Sequence, residues 1–337
     1  MKNLLINFKS IYRNLNSSGA SYNSVADLLI SMGPFSKNGE SSEEMLKLTK
    51  VTLNDKLESL EINRNLIDEL VTVATRLNYG QMPKDMHAFV GFVSLVGVDN
   101  DLWAVEGGNV KVLECALELS KAKVVKKEVE KVDASEKMIK VFLASDDPKE
   151  QVKSVDYDIV VIATPLTADK SNLTILPSSP EFPGSFHTTV ATIVEGDLIP
   201  TGTTTNIYLS PNNFLASIER IYPVDYDPVK DSPPPSVYKL FSKRALTMTE
   251  LSSFFTSIKS VKVTPWLAYP DFSVNMDLSS FVLSPGLFYT SKIEFAASAM
   301  EMSAIAAKNV ANLAYKYWTG EDIVQQYKDG DIKKQEL

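Results

Sequence analysis

The sequence predicts a mixed chain of the α/β (α+β) class, and three observations carry that prediction. The N-terminal stretch is helical and mostly polar, the centre is rich in β-forming runs, and the C-terminal segment from Leu287 to Thr319 contains neither Gly nor Pro.

Within residues 1 to about 75, Val25–Ile30 and Leu66–Val71 show the three-to-four spacing of helices that pack one face. Gly33-Pro34 and the run from Lys37 to Glu40 supply turns, and Ser41-Ser-Glu-Glu44 resembles a helix start, so several short helices joined by loops are expected. Met1 to Leu15 places Lys9 and Arg13 among apolar residues, which reads as an amphipathic helix rather than a secretory signal.

From Val124 the pattern changes. Val124–Val132 and Lys137–Leu143 alternate apolar and polar residues around Asp133-Ala-Ser-Glu136, a hairpin signature. Tyr157–Ala163, stopped by Thr164-Pro165, is a continuous apolar run expected as a strand buried on both faces of a central sheet. Thr188–Val194 is another strand, and the prolines at 233–235 forbid regular pairing in the loop that follows it. After a strand-like Leu287–Thr290, apolar residues recur at Ile293, Ala297, Met300, Ala304, Ala307, Ala311, Ala314 and Trp318, which predicts one long helix packed through that face.

Composition narrows the function classes. A formal charge of -8 disfavours a nucleic-acid partner, because phosphate binding needs a basic face. No apolar run reaches the roughly 18 residues of a membrane span. The single cysteine, Cys115, excludes an internal disulfide and a thiolate metal cluster. His87 and His187 lie far apart without a carboxylate at ligand spacing, so both read as structural residues, and no metal site is expected. The sequence contains no P-loop, no G-x-S-x-G elbow, no H-E-x-x-H and no G-x-G-x-x-G.

Two features suit a flat, electron-rich ligand. Glu294 stands between a short strand and a helix start rich in small residues from Ala296 to Ala307, and a helix N-terminus offers unpaired N–H groups. Gly107-Gly108 is the only Gly-Gly pair and removes side chains ahead of a helical pattern. Close packing and a tight turn, respectively, are the competing readings. Two N-x-S/T sequons begin at Asn16 and Asn172. The C-terminal Lys334-Gln335-Glu336-Leu337 differs by one residue from the K-D-E-L address, against the alternative of a charged frayed end.

Several segments, taken in order, are similar to the prenylcysteine oxidase family of FAD-dependent thioether oxidases. They are Arg76–Gln81, Ala88–Gly91, Leu102–Asn109, Tyr157–Leu166, Pro265–Pro270 and Glu294–Ala307. The resemblance implies an amine-oxidase-like flavoprotein fold with an incomplete Rossmann-type FAD domain, a mixed-sheet substrate domain and a helical cap. Five regions are expected: a helical cap and substrate region at 1–90, a partial FAD-binding region at 91–170, a β-rich substrate domain at 171–280, a flavin-binding strand and helix at 281–320, and a tail at 321–337. Full members begin with a signal peptide and a strand, Gly-rich turn and helix that grip the ADP half of FAD. Neither is found in this sequence; an internal initiation, an incomplete gene model or a natural short form would each give it, and an in-frame G-x-G-x-x-G is expected upstream of Met1.

The implied reaction converts farnesyl- or geranylgeranylcysteine to a prenyl aldehyde, cysteine and hydrogen peroxide, with molecular oxygen reoxidising FAD. The alternative is a truncated, prenyl-binding form without activity. Carried over by resemblance, Glu294 would meet the ribityl hydroxyls, the backbone at Ala299 and Met300 the pyrimidine edge, and Gly107 and Gly108 the ring face. Tyr79, Gln81, Trp103, Trp266 and Tyr269 are the candidates for the prenyl pocket, with core packing as the competing reading for each. A lysosomal or secretory setting, with glycosylation at Asn16 and Asn172, is likewise implied by the resemblance; the K-x-E-L ending fits it.

Overall fold

The computed structural model describes residues 11–33, 43–96, 104–145, 153–178, 180–200, 206–208, 214–223, 225–227, 229–231 and 233–321. Helices dominate its N-terminal part: α1 (residues 11–17), α2 (Val25–Ser31), α3 (Glu44–Lys47), α4 (Leu53–Ser59), α5 (Arg64–Leu66), α6 (Thr72–Tyr79) and α7 (Ala88–Val96). Polar caps define where they start. Ser24 Oγ accepts the Asp27 amide and Thr52 Oγ1 the Asp55 amide, each at 3.0 Å, which satisfies donors that a first helical turn leaves free. A π turn, Ile67–Val71, carries α5 into α6. Gly80 then stops α6 at φ 69°, the left-handed geometry that glycine adopts without strain, and its N–H closes on Arg76 O.

The expected hairpin forms, but its first strand is shorter than the alternation predicts. β1 (Val129–Asp133) pairs antiparallel with β2 (Ile139–Leu143), and α8 (Val110–Ser120) precedes them. With β3 (Lys153–Tyr157) and, after β4 (Val160–Ile162), β5 (Thr174–Leu176), they form a four-stranded sheet ordered β3-β2-β1-β5.

The run Tyr157–Ala163 corrects the expectation of one central strand. It is divided between two sheets: Tyr157 ends β3, whose five residues are all exposed, while β4 begins at Val160. β4 stands at the end of a three-stranded sheet, and Val161 is exposed. The sequence run looks uniform because apolarity alone does not record the change of partner at Asp158-Ile159.

The middle of the chain builds a five-stranded antiparallel sheet ordered β10-β6-β9-β8-β7, from β6 (Phe186–Leu198), β7 (Asn206–Tyr208), β8 (Leu215–Arg220), β9 (Val237–Ser242) and β10 (Phe255–Pro270), with α9 (Met248–Ser252) leading into the last strand. Val194, Leu215, Ile218, Tyr238, Leu240 and Phe255 join in one buried cluster of this sheet. β11 (Val282–Ser284) and β12 (Leu287–Tyr289) complete the small sheet, in which β12 runs parallel to β4.

A 3-10 turn, Ser291–Phe295, separates β12 from α10 (Met300–Thr319). The long helix therefore starts later than its apolar spacing implies, and its buried face is rotated. Met302, Ile305, Ala306, Val310 and Leu313 are buried with Asn309 and Asn312, whereas Met300 and Trp318 are exposed. Alanines fit either face, so they set no phase. The asparagines decide it: Asn309 exchanges hydrogen bonds with both the amide and the carbonyl of Tyr22 at 2.7 and 2.9 Å, and Asn312 Nδ2 donates to the carbonyls of Leu15 and Ala20. The Asn309 amide is satisfied on both sides, whereas Asn312 Oδ1 is buried without a partner among the described residues.

These ties place α10 in the largest core, where Leu28, Leu29, Phe89 and Val90 meet Phe272, Phe281, Ile305 and Val310. Inside it the buried Lys292 ammonium pairs with Asp277. Burial alone would raise the Asp277 carboxyl, but Lys292 and Ser279 together hold it below its ordinary value.

Candidate active site

A cavity opens between α6 and the part of the five-stranded sheet where β6, β8, β9 and β10 meet. Arg76, Leu77 and Gly80 close it from the helix side, and His187, Thr189, Phe241, Trp266 and Tyr269 from the sheet side. The cavity is small, about 20 Å³, and opens to solvent. Pairing across β6 and β10 sets Trp266 opposite Thr189 and Tyr269 opposite His187.

Aromatic contacts lead inward from this cavity. Trp266 and Tyr269 have ring centroids 6.3 Å apart, Tyr269 meets Tyr79 edge-on at 5.0 Å, and Tyr79 meets Phe272 at 5.2 Å. Such edge-to-face geometry is favoured by the ring quadrupoles. The Tyr79 hydroxyl donates to the Ser298 carbonyl at 3.1 Å, and burial, with Tyr269 beside it, holds its pKa far above the usual tyrosine range. Tyr79 thus joins the cavity wall to the start of α10.

That start has an unusual chemistry. Ala299 occupies the N-cap position with extended backbone and has no side-chain oxygen to offer, so the first turn of α10 carries no side-chain cap. Its leading N–H groups and the positive end of the helix dipole are available to an electron-rich group. Beside it, Glu294 Oε2 accepts from Ser298 Oγ at 3.2 Å. Burial pushes the Glu294 carboxyl upward, opposed by that hydrogen bond and by the Lys170 charge. A carboxyl beside an uncapped helix terminus fits a ligand that brings hydroxyl donors together with an electron-rich ring edge, the donor set a flavin would present.

The structure distributes the sequence-derived candidates unevenly. Trp266 and Tyr269 line the cavity, and Tyr79 backs it. Gln81 is buried and bridges backbone, donating from Nε2 to Pro270 O at 2.9 Å and accepting the Phe272 amide at 2.9 Å, the geometry of a structural clamp. Trp103 lies outside the described residues. Gly107 and Gly108 sit in a turn at φ 80° and 96°, and a Cβ added at Gly108 would meet nothing within 4 Å, so there is room over that backbone. Glu294, Ala299 and Met300 stand together at the α10 terminus. Asn172 is exposed in a loop, Asn16 is partly buried on α1, and the K-x-E-L tail lies outside the described residues.

Sequence reasoning missed Arg76 and His187 as cavity residues. Arg76 is buried on α6 and donates to Leu215 O at 3.1 Å. The signal was present, since Arg76 opens the Arg76–Gln81 segment, but a polar residue inside a helical run has no distinguishing period. His187 was read as structural because no partner stands near it in sequence; Asp271, 84 positions later, comes within 3.7 Å of its Nδ1.

Comparison with known proteins decides the family. The prenylcysteine lyase family matches residues 1–326. The chain belongs to that family. Among prenylcysteine lyase relatives, prenylcysteine oxidase 1 of Homo sapiens is 34% identical over 99% of this chain and 68% of its own length, and that of Bos taurus 34% over 95% and 65%. The Rattus norvegicus protein of the same name is 31% identical over 97% of this chain and 67% of its own. The chain thus spans about two thirds of the length of these relatives.

Solved structures agree on the fold. A putrescine oxidase triple mutant from a structure-based redesign of cofactor binding superposes with a TM-score of 0.54 at 12% identity, covering 94% of this chain and 75% of that one. Cyclohexylamine oxidase from Brevibacterium oxydans gives 0.50 at 13%, covering 94% and 74%. The amine-oxidase-like fold implied by the family resemblance is therefore the fold of this chain.

Proposed function

We propose that this chain forms the substrate-facing and flavin-covering part of a FAD-dependent thioether oxidase acting on farnesyl- or geranylgeranylcysteine. The observation that carries the reading is the link from an aromatic cavity through Tyr79 to an uncapped helix terminus beside Glu294. Family membership supports the same chemistry. Overall, the prenylcysteine, molecular oxygen and one water become prenyl aldehyde, free cysteine and hydrogen peroxide.

When bound, FAD supplies the two-electron oxidation of the carbon next to sulfur and passes the electrons to oxygen. The residues of this chain position and shield. The first-turn amides from Met300 onward would hold an electron-rich edge of the cofactor, with the Ala299 backbone shaping that contact. Glu294 would accept from hydroxyl groups of the cofactor. Gly107 and Gly108 leave space for a flat ring. On the substrate side, Trp266 and Tyr269 cover apolar chain and keep water from all but the reacting carbon, with Tyr79 fixing Tyr269 in place.

The reading extends to a secretory or lysosomal setting, with Asn172 as the better-exposed of the two acceptor sites. The test is to supply the expressed protein with FAD and S-farnesylcysteine and to measure bound flavin absorbance, thiol release and peroxide. Thiol and peroxide in equal amounts are expected. A preparation that holds flavin and binds farnesylcysteine yet releases neither product would overturn oxidation and leave a prenyl-binding role.

A further inference from the structure

The cavity beside Trp266 and Tyr269 has the size of one water, about 20 Å³, which is enough for a single molecule when two or more polar groups face it. Two do. Gly80, where α6 ends, leaves a space that a Cβ would fill, and the polar atoms bordering that space are His187 Nε2 at 2.9 Å and Thr189 Oγ1 at 3.8 Å. Thr189 is 8% exposed, yet its hydroxyl makes no hydrogen bond among the described residues. A hydroxyl so placed costs free energy unless water satisfies it. The other polar side chains of the wall are engaged elsewhere: Arg76 donates to Leu215 O at 3.1 Å and Ser242 Oγ to Arg244 O at 2.6 Å.

The opposite edge of the His187 ring faces a carboxylate. Nδ1 lies 3.7 Å from Asp271 Oδ1, and Asp271 is fixed by Ser185 Oγ at 2.6 Å. Burial lowers the His187 pKa, with the Asp271 charge opposing and Lys243 adding to the fall, so the ring is uncharged at neutral pH. Asp271 favours the ring proton on Nδ1, which leaves the lone pair on Nε2, toward the Gly80 space. A proton arriving at Nε2 would make an imidazolium that Asp271 stabilises.

We propose that this cavity holds the water consumed in the reaction and that His187 is its general base, with Thr189 positioning the water and Asp271 the ring. The inference rests on the proposed thioether oxidation and adds the residues that carry out its hydrolytic half. Once the carbon next to sulfur has lost a hydride to the flavin, it bears positive charge shared with sulfur. The water oxygen bonds to that carbon while one of its protons passes to His187 Nε2. The remaining hydroxyl proton goes to sulfur as the carbon–sulfur bond breaks, leaving aldehyde and thiol, and His187 returns its proton to solvent. Trp266 and Tyr269, at the wall of the cavity, place the thioether against this one water.

Two readouts test the site and its chemistry separately. A crystal structure of the expressed protein should show one ordered water within about 3.2 Å of both His187 Nε2 and Thr189 Oγ1, and Thr189→Val should remove it. In anaerobic mixing with FAD and S-farnesylcysteine, loss of flavin absorbance follows oxidation of the carbon, and thiol release follows addition of water. His187→Gln should slow thiol release about a hundredfold and change flavin reduction less than about twofold. Thr189→Val should slow thiol release about tenfold, the effect of one lost hydrogen bond. Equal slowing of both steps in His187→Gln marks a structural role and overturns the proposal, as does an empty cavity. Circular dichroism shows whether His187→Gln is folded; if it is not, Thr189→Val decides, since it leaves the ring in place. Normal flavin reduction with unchanged thiol release overturns this inference alone, whereas flavin that S-farnesylcysteine never reduces overturns the proposed function and this inference with it.

Discussion

The His87 ring joins two layers of the molecule: its Nε2 lies 3.2 Å from the Phe295 carbonyl, while its Nδ1 accepts the Val90 amide at 3.3 Å. Because Nδ1 accepts, the proton of the neutral ring sits on Nε2 and is donated to Phe295. Burial lowers the pKa from 6.5 to about 4, with the Phe295 contact opposing and Lys50 adding to the fall. Between these values the unfolded chain binds a proton that the folded chain does not, so stability rises with pH across that window and is lost as pH falls. The expected loss between pH 7 and pH 4 is up to about 3 kcal/mol from this residue. His87→Gln should flatten that part of the curve when urea midpoints are measured at each pH; an unaltered slope would show that other groups set it.

Glu294 works in the opposite sense. Burial raises its folded pKa, so the ionised form at neutral pH is held at a disadvantage that grows as pH rises through the raised value. Glu294→Gln should therefore raise the denaturation midpoint at pH 8 while lowering retention of FAD on gel filtration. A variant that loses stability and keeps the cofactor contradicts both halves.

Gly80 leaves α6 at φ 69°, and a Cβ there would lie 2.9 Å from His187 Nε2. Gly80→Ala should cost about 1 to 2 kcal/mol for left-handed backbone, and it should weaken farnesylcysteine binding by pushing the ring into the cavity. Denaturation and calorimetry on the same preparation separate the two effects.

The Tyr79 hydroxyl ties the aromatic wall to Ser298. Removing it in Tyr79→Phe keeps the ring contacts and should destabilise by about 1 kcal/mol. If Tyr79 aligns the wall with the helix terminus, kcat should fall more than the change in stability explains, with KM little affected.

Asn309→Ala leaves the Tyr22 amide and carbonyl without their partner. The expected destabilisation is about 2 to 3 kcal/mol, read from urea unfolding, because both backbone groups lose their bonds where α10 packs on the N-terminal helices. A loss below half of that range would mean that water replaces the asparagine.

Much of this architecture could be read from the sequence, and the failures share a cause. The hairpin around Asp133–Glu136, the strand at Thr188–Val194 and a helix before Thr319 follow from local period, which is a property of neighbouring residues. What local period does not contain is the partner. Tyr157–Ala163 changes sheets in mid-run, and α10 turns Asn309 and Asn312 inward because their partners lie more than 280 residues away. The site divides along the same line. Trp266 and Tyr269 are legible as aromatic residues awaiting a cavity, but Gln81 is a backbone clamp, and Arg76 with His187 become neighbours only when α6 closes over the five-stranded sheet.

The Asn312 bonds to Leu15 and Ala20 bear on how the chain is made. Its amide meets carbonyls that leave the ribosome 297 and 292 residues earlier. At 5 to 20 residues per second the first helices wait roughly 15 to 60 seconds for the strand and helix that complete their core. During that interval the core around α1 and α2 lacks the residues of α10, so a ribosome paused before the codon for Met300 would hold a nascent chain with that core incomplete.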